Sequence, residues 1–361
     1  MTWPSHGSNP HYLYEAAGLA LPGCLLDFSA NINPLGPPAV LQKRWGDMFH
    51  GIETYPDPHT ASLKAKIAQR EGIGPERILI GNGGAEIISL IGRMLAGKKV
   101  MIVEPAFSEY EKACQVNNCD VSYYQLSDGW EIHLHDLIEK IQGMGAVFLC
   151  NPNNPTGMYY KTNIILPLLK ACKRENCLLI VDEAFYDFTA EYEPLVPFLQ
   201  EFPQLILMRS LTKIFSIPGL RLGYLMADRG LVEKLTAYQS HWNVNSVAIQ
   251  AGEWCLEDED HISKTTQFIQ SERDVLFGFY QEQHFEVSNS AINFYLLRDS
   301  QLNDQYPLFQ FLLKQGIVPR HTFNFPGLEG RWLRFAIRTS DENRKLMEAM
   351  KAWRRLNPSF L

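Results

Sequence analysis

Between about residues 60 and 250, short apolar runs recur at 78–80, 100–103, 146–150, 178–181, 205–208 and 222–226. Stretches of helical period separate several of them, at 86–95, 108–116 and 164–173. A run of four or five apolar residues without polar alternation is what a strand covered on both faces requires. Strands of this kind interleaved with helices predict an α/β fold, with a mostly parallel sheet between helical layers. In such a sheet, ligands bind beyond the carboxyl ends of the strands. Functional residues are therefore to be sought just after each run.

The texture changes after about residue 260. Polar helices are predicted at 264–283, 303–314 and 341–353, alternating with isolated strands at 291–297 and 332–337. That pattern describes a smaller α+β unit. The first 45 residues are rich in Pro, Gly and Asn, which suits an arm or lid better than a packed core. A chain of 361 residues carries about two domains. The expected division is an arm at 1–45 contributing to the small domain, a large domain at 46–255 and a small C-terminal domain at 256–361.

Composition narrows the partners. A formal net charge of −7 disfavours general nucleic-acid binding, so any field that holds an anion must be local. The seven cysteines include no C-x-x-C pair, which fits a reducing compartment. No run of about 20 apolar residues occurs and the polar start lacks the apolar segment of a signal peptide. A soluble, cytoplasmic protein is expected, with no membrane partner.

Five segments carry chemistry. Ser210-Leu-Thr-Lys213 follows the run at 205–208, and Gly219-Leu-Arg221-Leu-Gly223 comes soon after. Ser210, Thr212 and Arg221 could converge on one phosphate. A lysine held near such a site has its pKa lowered by burial and neighbouring cations, which suits imine formation. Taken alone, Lys213 would read as a surface lysine. Asp182 ends the run at 178–181, where a buried carboxylate needs a cationic partner such as a pyridinium. It could equally cap a helix. Asn151-Pro-Asn-Asn154-Pro-Thr-Gly157 makes a rigid turn that would offer the Asn154 amide to a phenolic oxygen. Gly81-Asn-Gly-Gly84-Ala85-Glu86 opens a helix whose first amides make an anion site. It lacks the third glycine of a dinucleotide fingerprint and the G-K-[ST] of a P-loop. Tyr110, in Pro105-Ala-Phe-Ser-Glu-Tyr110, is either a core tyrosine or a platform for a flat heterocycle.

The ordered set of these segments, with Asp182-Glu-Ala-Phe185, resembles the fold-type-I pyridoxal-phosphate enzymes, in the branch that holds the histidinol-phosphate aminotransferases. The resemblance runs along most of the chain. It implies that Lys213 carries the cofactor as a Schiff base, Asp182 pairs with the ring nitrogen and Asn154 contacts the ring hydroxyl. Tyr110 would stack on the ring, while Gly84, Ala85, Ser210, Thr212 and Arg221 hold its phosphate. Tyr55 matches a tyrosine that reaches the neighbouring subunit's cofactor phosphate, which implies a homodimer with shared sites.

Within that branch, Ser5-His6-Gly-Ser-Asn9, the segment from Asp27 to Gly36, Pro319-Arg320 through Leu328 and Leu333-Arg334 through Thr339 are most similar to the threonine-phosphate decarboxylases. The aminotransferases usually carry a tyrosine at the position of Phe185. The resemblance implies decarboxylation of L-threonine O-3-phosphate to (R)-1-amino-2-propanol O-2-phosphate for cobalamin biosynthesis. Histidinol-phosphate aminotransferase or a related class I/II aminotransferase activity is the alternative. Arg334 would bind the substrate carboxylate and Arg320 its phosphate, helped by His6 and Asn31.

Overall fold

A computed structural model describes residues 3–4 and 6–357. In chain order the strands are β1 (Leu26–Asp27), β2 (Ile78–Gly81), β3 (Lys99–Glu104), β4 (Asp120–Gln125), β5 (Ala146–Cys150), β6 (Leu178–Asp182), β7 (Leu205–Ser210) and β8 (Gly223–Met226). They continue with β9 (Glu286–Val287), β10 (Phe294–Arg298), β11 (Ile317–Val318), β12 (Arg320–His321) and β13 (Leu333–Ala336).

Seven of them form one sheet in the order β2-β8-β7-β6-β5-β3-β4. All its pairings are parallel except those of β8, which runs against both β2 and β7. The expected α/β sheet is therefore present, with one reversed strand. Its interior strands are buried residue after residue because both faces are covered: β5 sends Ala146, Phe148 and Cys150 into one hydrophobic layer and Val147 and Leu149 into the other. Burying each such side chain stabilises the fold by about 1.5–3 kcal/mol. Edge strand β4, Asp120-Val-Ser-Tyr-Tyr-Gln125, is mostly exposed or half-buried and so has no continuous apolar run to betray it.

A second sheet, ordered β12-β13-β10-β9, is antiparallel. The N-terminal segment is stitched to this part of the molecule. β1 pairs in parallel with β11, and the Ala336 amide donates to the Phe28 carbonyl at 2.8 Å. The opening residues are also less arm-like than expected. Pro10–Ala17 is a helix that puts Leu13 and Tyr14 into the core.

Candidate active site

The large sheet brings the expected Asp182 and Lys213 to one edge. Cys150, Asp182 and Met208 are register partners at the ends of β5, β6 and β7, and Lys213 lies one turn beyond β7. They open on a cavity of about 510 Å³. Every site residue expected from the sequence lines it except Tyr55. Ser5 lies outside the described residues.

Asp182 is buried, and each oxygen accepts one hydrogen bond: from the Tyr110 hydroxyl at 2.6 Å and from the Ala184 amide at 3.0 Å. Burial holds its pKa above the usual carboxylate range, against the pull of Tyr110, Ala184 and Lys213. A carboxylate accepts about four hydrogen bonds, so capacity remains for one more donor from the cavity. Tyr110 packs its ring on Phe148, with centroids 5.1 Å apart and planes 15° from parallel.

Lys213 has its pKa pushed down to about 8, first by burial, then by Arg334 and Arg221, with Asp182 opposing. At pH 7 roughly a tenth of such amines are neutral, against a few in ten thousand for an ordinary lysine. That makes a usable nucleophile.

Beyond Lys213 the chain builds an anion cradle. The helix Gly83–Met94 opens with no side chain capping its first amides. Gly83 has φ +72°, and a Cβ there would come within 2.6 Å of Arg221 Nη2. Glycine thus lets the guanidinium lie against the helix start. The Ser210 and Thr212 hydroxyls, 2.6 Å apart, complete the set. Spare acceptor capacity at Asp182, a low-pKa lysine and this cradle fit a phosphorylated pyridine aldehyde, so the donor set of the chain suits pyridoxal phosphate.

The opposite wall belongs to the second sheet. Arg320 and Arg334 are direct register partners on β12 and β13. Arg334 donates to Asn154 Oδ1 at 2.5 Å and to the Ser29 carbonyl at 2.9 Å, which leaves the Asn154 amide hydrogens for the cavity. Its Nε is buried with no partner among the described residues. Burial and then Arg320 lower its pKa to about 9, and burial lowers that of Arg320 to about 10. Arg320 donates to the His321 carbonyl at 2.6 Å and to Asn324 Oδ1 at 2.8 Å, and two guanidinium groups side by side at the cavity wall favour an anionic ligand. Asn31 is buried at the same wall, its Oδ1 without a partner among the described residues.

Two of the expected residues have partners of their own. His6 lies 3.0 Å from Glu109 Oε1, so its ring reaches across the mouth to the helix Glu109–Val116. Tyr55 is 79% exposed and packs on Trp242, outside the cavity of its own chain. Phe185 lines the cavity and meets Phe294 edge-on at 4.9 Å, with no hydroxyl to offer.

Other contributors escaped the sequence reading. Arg209, buried between strands, pairs with Glu183 at 2.9 Å and Glu71 at 2.7 Å and so braces the ends of β6 and β7. Its signal was a charge inside strand β7, directly after the apolar run at 205–208. Asn324 and Phe325 reach the cavity from the loop after β12. Arg338, four residues after Arg334, pairs with Glu342 at 3.1 Å.

A lysine and a carboxylate at the carboxyl edge of such a sheet, facing an anion cradle, define a class. The family model for class I and II aminotransferases matches residues 24–350, and the chain belongs to that family. Among curated proteins it is 35% identical to the threonine-phosphate decarboxylase of Salmonella typhimurium, over 96% of each chain. It is 32% identical to the adenosylcobalamin biosynthesis bifunctional protein of Leptospira interrogans, over 97% of this chain and 41% of that longer one. Among solved structures, the histidinol-phosphate aminotransferase of Clostridium acetobutylicum superposes with a TM-score of 0.87 at 30% identity, covering 92% of this chain and 100% of that one. No helix among the described residues is long and apolar enough to cross a membrane.

Proposed function

We propose that the protein is a pyridoxal-phosphate-dependent lyase that decarboxylates L-threonine O-3-phosphate, yielding (R)-1-amino-2-propanol O-2-phosphate for cobalamin biosynthesis. The observation that carries this reading is the neighbouring pair Arg320 and Arg334 lining the same cavity as Lys213, which suits a substrate with two anionic ends. Near full-length similarity to a threonine-phosphate decarboxylase supports that substrate over histidinol phosphate, which has no carboxylate. Phe185, without a hydroxyl, points the same way.

In this reading Lys213 would bind the cofactor covalently and Asp182 would pair with its ring nitrogen. Asn154 would serve its ring hydroxyl and Tyr110 its ring. The amides of Gly84 and Ala85, with Ser210, Thr212 and Arg221, would hold the cofactor phosphate. When bound, pyridoxal phosphate supplies an electron sink for a bond broken at the substrate Cα. Arg334 grips the substrate carboxylate, while Arg320 with Asn31 and His6 takes the substrate phosphate. Anchoring both ends sets which Cα bond is positioned to break. The Lys213 amine, at the same edge of the cavity, would be the group that holds the proton returned to the substrate Cα.

The reading includes a homodimer. Trp45, Phe49, Ile52, Tyr55 and Trp242 are exposed apolar residues, and a second copy covering them would bring Tyr55 to the neighbouring cofactor phosphate. It also includes the division into an arm at 1–45, a large domain at 46–255 and a small domain at 256–361. Seven free cysteines suit the cytoplasm.

Arg320→Ala tests the substrate assignment. Losing a charge-assisted contact in a dry site costs roughly 2–5 kcal/mol. The variant should lose a factor of about 30 or more in kcat/KM for threonine phosphate, while keeping its covalently bound cofactor. Unchanged kcat/KM would remove Arg320 from substrate binding.

A further inference from the structure

Lys213 is carried by a helix of only four residues, Leu211–Ile214. A single turn has no intrinsic stability, and its last carbonyls have no partners within it. The Lys213 carbonyl accepts a long local bond from the Ser216 amide at 3.4 Å, and the closer bonds to these carbonyls come from the other end of the chain. The Asn33 main-chain amide donates to the Lys213 carbonyl at 3.1 Å, and its side-chain amide donates to the Ile214 carbonyl at 2.7 Å. The same side-chain nitrogen donates to Thr265 Oγ1 at 2.7 Å and lies 3.0 Å from His261 Nε2, both on the helix Glu259–Glu282. Asn33 Oδ1 accepts from the Leu35 amide at 2.9 Å, which fixes which way the side-chain amide faces. Asn33 is buried, and Pro34 stiffens the turn that follows.

One residue of the N-terminal segment therefore holds the end of the lysine-bearing turn and anchors it to the 24-residue helix. A side chain at the end of an unsupported turn would sweep a cone of directions. Capped at two successive carbonyls, it has one.

We propose that Asn33 is the positioning residue for Lys213, fixing the direction from which the amine enters the cavity. The proposal rests on Lys213 being the cofactor-bearing residue. It is tested on the full chain with Asn33→Ala and Thr265→Val, the second of which removes one of the two contacts to the long helix, leaves His261, and keeps both bonds to the lysine turn. Four quantities are measured: the residue labelled by borohydride reduction, the pH midpoint of the bound cofactor's absorbance, kcat and KM apart, and the melting temperature. Asn33→Ala should move the absorbance midpoint by at least about half a pH unit. It should also lower kcat about 10²-fold with KM within about threefold, the pattern of a misplaced group. Thr265→Val should lower the melting temperature and leave midpoint and kcat near wild type. Should Asn33→Ala not fold, Asn33→Ser keeps the main-chain bond, loses the amide and should show a smaller shift of the same kind. A folded Asn33 variant with a lowered melting temperature but a wild-type midpoint and kcat would overturn the proposal. A borohydride label on a residue other than Lys213 would instead overturn the functional reading beneath it.

Discussion

Replacing Lys213 by methionine should abolish the borohydride-reducible link to the cofactor and cut turnover by about 10³-fold or more. Proton transfer by a placed group is worth about 10²–10⁴-fold alone, and here the same group also binds the cofactor. The variant should also be more stable than wild type when both are stripped of cofactor. The Lys213 pKa falls from 10.5 to about 8 on folding. A base whose folded pKa is depressed resists charging in the native state. The penalty is fully present below about pH 8, shrinks between there and 10.5, and is gone above. It amounts to at most about 3 kcal/mol. Methionine keeps most of the stem and removes the charge. Denaturant melts should therefore show a gain at pH 7 that vanishes near pH 11. A labelled lysine peptide from the variant would show that Lys213 does not bear the cofactor, and a loss of stability at pH 7 would contradict the burial argument.

The second large effect concerns Asp182. Asp182→Asn preserves shape and leaves an acceptor for Tyr110 or Ala184, but removes the negative charge that a protonated ring nitrogen needs. Loss of a preorganised charge partner should cost about 10²-fold or more in turnover. Cofactor should still bind, since Lys213 and the phosphate cradle are untouched. Steady-state turnover with cofactor content measured in parallel checks this. Near-normal turnover at full occupancy would take Asp182 out of the chemistry.

Much of this site was legible in the sequence because its residues follow buried strands, and buried strands announce themselves as apolar runs. Lys213, Asp182 and Asn154 each sit directly after such a run, so finding the strands located the residues. Strand β4 escaped because an exposed edge has no reason to be apolar. The helix Pro10–Ala17 escaped because the prolines, glycines and asparagines around it dominated the local signal. Other features depend on contacts no local pattern records. The bond between Asn33 and Ile214 spans 181 residues, and Arg209 finds Glu71 only once the sheet has formed. His6 could be expected near the cavity, but nothing in its neighbourhood foretold that it would face Glu109.

The arrangement makes its most direct claim about which bond breaks. Wild-type protein with bound cofactor should be mixed with excess threonine phosphate and no keto acid, and carbon dioxide counted against active sites. A decarboxylase recovers its starting state each time Lys213 returns a proton to Cα. Carbon dioxide should then accumulate to many equivalents per site, together with aminopropanol phosphate. An aminotransferase releases no carbon dioxide: it retains the substrate's amino group and stops after one equivalent of carbonyl product until a keto acid is added. No carbon dioxide from threonine phosphate, with a single stalled equivalent from histidinol phosphate, would contradict the account.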